Sequence, residues 1–152
     1  MATTRSPRIK ARVAIEEKAR ILCVLHAKPD QEPFWCLPGG NIDLGESLAA
    51  GARRELREEV GIKVELDGAI LIVDGPAIGN EQGAVEVIFR GRIEHGTAAL
   101  GTDTGDPYLA EARWFARNEL PISLRPACLR ALLLSSDALS ELPIVPVGDW
   151  TP

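Results

Sequence analysis

Cysteine is scarce in this 152-residue chain: Cys23, Cys36 and Cys128 are an odd number at wide spacings. Neither a disulfide framework nor a four-ligand zinc site fits them, so a packed core must carry the fold. Cys23 in an apolar run and Cys128 in an expected helix read as reduced core residues. Cys36 abuts a glycine turn, with no histidine near it in sequence to activate a thiolate. Long apolar runs are also lacking. Stretches such as Ala131 to Leu134 fall far short of the roughly 20 residues a membrane span needs, so no membrane is expected as a partner. No basic stripe is present, and the net charge is −5, which argues against a nucleic-acid partner. Arg5, Arg8 and Lys10 are followed by no apolar block. The start therefore does not read as a secretory signal, and a cytoplasmic protein is expected.

What is present is ordinary globular material, 45% hydrophobic and 26% charged, enough to bury a core without staples. No repeat or linker divides the chain. The expectation is one domain over 1–152, with 1–10 as a loose polar arm and 142–152 as an extended tail. Arg12 to Ile15 and Arg20 to His26 read as short strands around the polar turn Glu16-Glu17-Lys18. Ala69 to Val73, Ala84 to Ile93 and Ala112 to Phe115 read as further strands, with a turn-rich connection from Asp74 to Gly83. Thr97 to Pro107, rich in Gly, Thr and Asp, reads as a mobile loop. Asn118 is placed to cap a brief helical turn, and Leu124 to Leu134 reads as a helix with Pro126 in its first turn. Strands outnumber helices, so an α/β (α+β) arrangement, a mixed sheet covered by a few helices, is expected.

The strongest helix is Ser47 to Val60, with Ser47 as cap and Gly61 as its left-handed stop. Ala49, Ala52, Leu56 and Val60 share an apolar sector, while Glu55, Glu58 and Glu59 fill the neighbouring one. Like charges at such spacings cost about 0.2–0.5 kcal/mol per pair. One account is a solvated acidic face that pairs with Arg53, Arg54 and Arg57. The other is a site for a hard cation such as Mg²⁺, which takes carboxylate and carbonyl oxygens and keeps substrate phosphates as further ligands. The turn Leu37-Pro38-Gly39-Gly40, which frees backbone groups for ligation, favours the second, as does Glu46, placed to meet Arg54.

From Gly40 to Ile62 the chain reads GNIDLGESLAAGARRELREEVGI. This resembles the Nudix box, G-x5-E-x7-R-E-U-x-E-E-x-G-U, with Gly40, Glu46, Arg54, Glu55, Leu56, Glu58, Glu59, Gly61 and Ile62 filling every specified position. The resemblance implies a Nudix fold, an α/β/α sandwich around a mixed β-sheet. It further implies that Glu55, Glu58, Glu59 and the Gly39 carbonyl hold Mg²⁺ or Mn²⁺. Arg54 would orient the glutamates, and Glu46 would brace the loop. Gly40, Glu46 and Gly61 complete the structural part of the box. Two departures are noted: Asp43 stands where many members carry Glu, and Gly51 where Ala is common.

By that likeness the chain cleaves the diphosphate linkage of a nucleoside diphosphate-type compound. Glu55 is the choice for the proton acceptor, beside Arg54 and Glu58 in the catalytic set. Some members use an acid from a distant loop; here Asp106, Asp103 and Glu111 are candidates, with Glu81 and Glu86 behind them. Trp35 and Phe34 are candidates for base stacking, with core packing as the alternative. His26 and Lys28 are placed either to touch phosphate or to end a solvated strand. The short chain and its hairpin favour a nucleoside triphosphate pyrophosphohydrolase. ADP-ribose, a dinucleoside polyphosphate, or a non-catalytic nucleotide sensor are the alternatives, and the protein is expected as a monomer or homodimer.

Overall fold

Strand β1 (Arg8–Glu17) runs through the middle of the sheet and organises the rest. The computed structural model describes residues 6–76, 82–102 and 104–148. Along β1, Ala11, Val13 and Ile15 enter one buried cluster and Ala14 enters another. That alternation means both faces of the strand are covered. A tight turn at Lys18 and Ala19, both with positive φ (49° and 59°), leads into β2 (Arg20–His26). Glu17 pairs with Arg20, as a two-residue hairpin requires. The turn lies one or two residues beyond the expected Glu16-Glu17-Lys18.

One edge of β1 pairs in parallel with β6 (Ala84–His95), which pairs antiparallel with β5 (Lys63–Gly75). Its other edge changes partner. Lys10 to Arg12 pair with β4 (Gly39–Asn41), whereas Glu16 and Glu17 pair with β2. The sheet parts between these two pairings. On the far side, β2 pairs antiparallel with β3 (Phe34–Cys36) and β7 (Leu109–Ala116), and β3 pairs in parallel with β8 (Leu124–Arg125). The sheet is thus mixed and curled. Helix α1 (Leu48–Val60) packs Ala52, Leu56 and Val60 onto one face, and α2 (Ala127–Leu134) packs Leu129 and Leu133 onto the other.

Several expectations are corrected. Residues 8–10 are not a loose arm but the first rungs of β1 against β6. The strand expected at 69–73 extends over Lys63–Gly75. Leu124 and Arg125 form β8, so the last helix begins at Ala127, after Pro126. Asn118 lies inside a 3-10 turn, Arg117–Glu119, that has no side-chain cap. Cys128 is exposed rather than core, whereas Cys23 and Cys36 are buried. In the expected tail, Val145 pairs with Ala69 of β5.

Candidate active site

Helix α1 begins where Ser47 Oγ accepts from the Ala50 N–H at 3.1 Å and stops at Gly61, left-handed at φ 71°. Between those caps the helix delivers three glutamates to three environments. Glu58 is exposed, Glu55 half-buried, and Glu59 almost fully buried at 2% exposure. The wheel puts Glu59 in the acidic sector, but the β3–β4 turn folds over it. Gly39 N–H donates to Glu59 Oε2 at 2.8 Å. Gly39 sits at φ 133°, and a Cβ there would collide with the Ala11 carbonyl and Arg12 Cα of β1. Only glycine brings the turn this close to the strand.

Arg54 gathers the remaining carboxylates. Its Nε and Nη2 donate to the two oxygens of Glu46 (2.9 and 3.0 Å), Nη1 to Glu55 Oε1 (2.9 Å) and Glu58 Oε2 (3.1 Å), and Nη2 also to the Asn41 carbonyl (3.0 Å). That accounts for all five guanidinium N–H donors. The Arg54 hydrogen bond holds Glu46 below the usual carboxylate range. Burial pushes Glu55 up, and pushes Glu59 further, to about 7. Among the described residues no three His, Cys, Asp or Glu side chains form a closed cluster; Glu55 and Glu58 turn to Arg54, and Glu59 to the Gly39 amide. Gly40 lies against Glu55: a Cβ there would stand 2.8 Å from its carboxylate.

All of these but Glu46 line a cleft of about 450 Å³ that opens where the sheet parts. Arg8, Lys10 and Arg12 of β1 line it, as do Lys28, His26 and Phe34 from the β2–β3 side. Arg12 is buried. It pairs with Glu86 and donates to the carbonyls of Leu37 (2.8 Å) and Gly39 (3.0 Å). Burial opposes its charge, but the acidic neighbours outweigh that and keep Arg12 protonated. Arg12 is a site residue that sequence reasoning missed. The signal was the alternation Arg8-x-Lys10-x-Arg12, hidden because the expected arm spans 1–10 and the expected strand begins at Arg12.

The 97–107 loop is pinned to the end of α1, with Ala99 N–H donating to Val60 O and Gly101 N–H to Glu59 O (2.8 Å). It carries Asp106 into the cleft, where Oδ2 lies 3.2 Å from His26 Nδ1 and Oδ1 accepts from Tyr108 N–H (2.9 Å). Burial, with Arg12 adding to it, lowers His26 to about 4. The ring is therefore neutral, stacked on Phe34 at 5.3 Å, and its buried Nε2 has no partner among the described residues. Of the other distal acids, Asp103 and Glu81 lie outside the described residues. Glu111 is not on the cleft but pairs with Arg113, and Glu86 is taken by Arg12. Trp35 is also absent from the cleft. Strand alternation turns it to the opposite face, edge-on to Phe115 at 4.8 Å, while Phe34 faces the opening.

The NUDIX domain family model matches residues 7–133 of this chain. A putative 8-oxo-dGTP diphosphatase of Bacillus subtilis is 35% identical over 115 residues, 75% of this chain and 69% of its own length. The 8-oxo-dGDP phosphatase of Homo sapiens is 27% identical over 114 residues, 74% of this chain, which spans 33% of that longer relative. Among solved structures, a MutT NUDIX hydrolase from Burkholderia pseudomallei aligns with a TM-score of 0.69 at 26% identity, covering 86% of this chain and 98% of that one.

Proposed function

Because this chain belongs to the NUDIX family and is a pyrophosphohydrolase of that family, we propose that its substrate is a nucleoside triphosphate, cleaved with the help of Mg²⁺ or Mn²⁺. The observation that carries the proposal is the meeting of Glu55, Glu58 and Glu59 with Arg12, Lys28 and the Gly39-Gly40 turn across one cleft. Oxygen donors and cations arranged this way suit a metal–diphosphate unit. The donor set fits a hard cation. Glu59 is a buried carboxylate whose ionisation burial opposes, and its one hydrogen-bond donor among the described residues is a neutral amide. The carboxylates of Glu55, Glu58 and Glu59 would hold the ion, with the Gly39 carbonyl contributing the lone pair that Arg12 leaves free. When bound, it supplies Lewis-acid neutralisation of diphosphate charge.

The chain's own residues supply the rest. Lys28 binds the phosphates, the buried Arg12 supplies positive charge beneath them while it holds the Leu37 and Gly39 carbonyls, and Arg54 holds Glu46, Glu55 and Glu58 in place without touching substrate. An attacking water loses its proton to a carboxylate as it adds in line to one phosphorus of the α–β anhydride, whose P–O bond breaks to release nucleoside monophosphate and pyrophosphate. Glu55 is the acceptor we favour, because burial raises its affinity for a proton. Asp106, oriented by His26, is the distal alternative.

The test is a panel of nucleoside tri- and diphosphates, ADP-ribose and dinucleoside polyphosphates with Mg²⁺, scored by phosphate and pyrophosphate released. Pyrophosphate release from a triphosphate, abolished by excess chelator, is expected. Preferential cleavage of ADP-ribose or a dinucleoside polyphosphate would replace the substrate assignment. Full turnover in chelator would overturn the metal role.

A further inference from the structure

We propose that Lys10 and Arg8 form a second anion subsite, which holds a phosphate of the substrate beyond the diphosphate that is cleaved. The proposal rests on the reading above that a nucleotide diphosphate lies over Glu55, Glu58 and Glu59. It begins with β1, where Arg8, Lys10 and Arg12 occupy alternate positions and line the same cleft. Alternate residues on a strand are roughly 7 Å apart, so the three cations form a track. Register gives the track its direction. Arg12 stands opposite Gly39 at the carboxylate floor, Lys10 opposite Asn41, and Arg8 one step further out.

The cations are not equivalent. Arg12 is committed to Glu86 and to two carbonyls. Glu86 is the residue paired with Lys10 in the β1–β6 register, yet its carboxylate goes to Arg12. Asp43, the acid at the other wall, leans on Arg54 at 3.5 Å. Among the described residues neither Lys10 nor Arg8 has an ion-pair partner. Lys10 is half-buried, and its pKa is lowered by burial first and by Arg12 second. A chain of net charge −5 has carboxylates to spare, and it brings Asp43, Glu46, Glu55 and Glu58 all to Arg54. Lys10, half-buried beside Arg12 and without an ion pair among the described residues, is better compensated when an anion arrives from outside, and exposed Arg8 stands next along the track to meet the same anion. The phosphate that meets them comes either from the polyphosphate chain itself or from the sugar of the nucleoside.

The test reads binding rather than turnover. Dissociation constants with Mg²⁺ are measured for inorganic pyrophosphate against inorganic tripolyphosphate, and for a nucleoside 5′-monophosphate against its 3′,5′-bisphosphate. The proteins are the full chain, the double variant Arg8→Gln with Lys10→Gln, and Lys63→Gln, an exposed lysine of β5, as a control for net charge. Wild type is expected to favour the longer member of one pair by about tenfold, the scale of one charge-assisted hydrogen bond. The double variant should bring that ratio to about one, and Lys63→Gln should keep it. Preference within the first pair assigns the subsite to the chain, and preference within the second assigns it to the sugar phosphate. Ratios near one for wild type in both pairs, or an unchanged ratio in the double variant, would overturn the subsite. If the double variant does not fold, Arg8→Gln, at an exposed position, is read by the same ratio. Intact ratios without turnover of any nucleotide would sink the proposed function and leave the subsite standing. Triphosphate turnover with flat ratios would do the reverse.

Discussion

Glu59 and Arg54 show how much of this site depends on single atoms. Arg54 spends every donor on Glu46, Glu55, Glu58 and the Asn41 carbonyl. Arg54→Lys keeps the charge but loses the planar fork that reaches these acceptors. We expect kcat to fall by about 10- to 100-fold with KM little changed and the fold intact, since the misplaced carboxylates rather than a substrate contact are at fault. A kcat within twofold of wild type would make Arg54 an ordinary surface residue. Glu59→Gln keeps the acceptor for Gly39 N–H but removes a buried charge. Here kcat should drop by roughly 10³ or more. The metal-free variant should melt no lower than wild type, and the Mg²⁺-induced rise in Tm seen for wild type should largely vanish. Equal Mg²⁺ shifts in both proteins, together with normal turnover, would exclude Glu59 as a ligand.

At the scale of elements, α1 explains its own oddity. Ala at Gly51 would ordinarily stabilise a helix by about 1 kcal/mol. In this fold a Cβ there would run into Ile42 and stand 2.8 Å from Glu46 Oε2. Gly51→Ala is therefore expected to destabilise by about 1–3 kcal/mol in denaturant melts, as overpacking does. It should also lower kcat, because Glu46 braces Arg54; a stabilised variant would refute the steric account. The helix was legible in the sequence because its caps, its period and its glutamates are all local. Other elements were not. Strand β5 has register shifts at Lys63/Val64, Leu66/Gly68 and Ala69/Leu71, and each breaks the two-residue alternation that would have revealed its length. Arg8 to Lys10 read as the end of a polar arm, with the strand starting only at Arg12, because a strand facing a charged cleft carries charges where a core strand carries leucine. Likewise, β8 depends on β3, nearly 90 residues earlier in the chain. His26 could not be given a role without Asp106, which meets it only in the folded chain.

Across the whole molecule, the cleft holds two buried groups with opposite responses to pH. Glu59 is raised from 4.5 to about 7, with burial the first cause. The folded state then holds this proton more tightly than the unfolded chain does, so the group stabilises the fold below about 4.5 and loses that contribution as pH rises through about 7. His26 is lowered from 6.5 to about 4, again chiefly by burial. Here the unfolded chain holds the proton more tightly, so His26 leaves the fold unpenalised above about 6.5 and destabilises it as pH falls through about 4. The two windows overlap, and the two slopes have opposite signs and similar size, on the order of 3 kcal/mol each at most. Metal-free wild type should therefore show a shallow profile of unfolding free energy between these limits. The single variants should separate the contributions. Relative to wild type, Glu59→Gln should gain stability as pH rises from about 4.5 to 7, because the cost of ionising the buried carboxylate is gone. His26→Gln should show its relative advantage at the acid end and lose it as pH rises, because the cost of charging the buried ring is gone. Denaturant melts in chelator at half-unit pH steps would resolve both difference curves. If the two difference curves share a sign of slope, the burial of Glu59 and His26 does not set their protonation in the folded protein, and the paired electrostatics of the cleft would have to be redrawn.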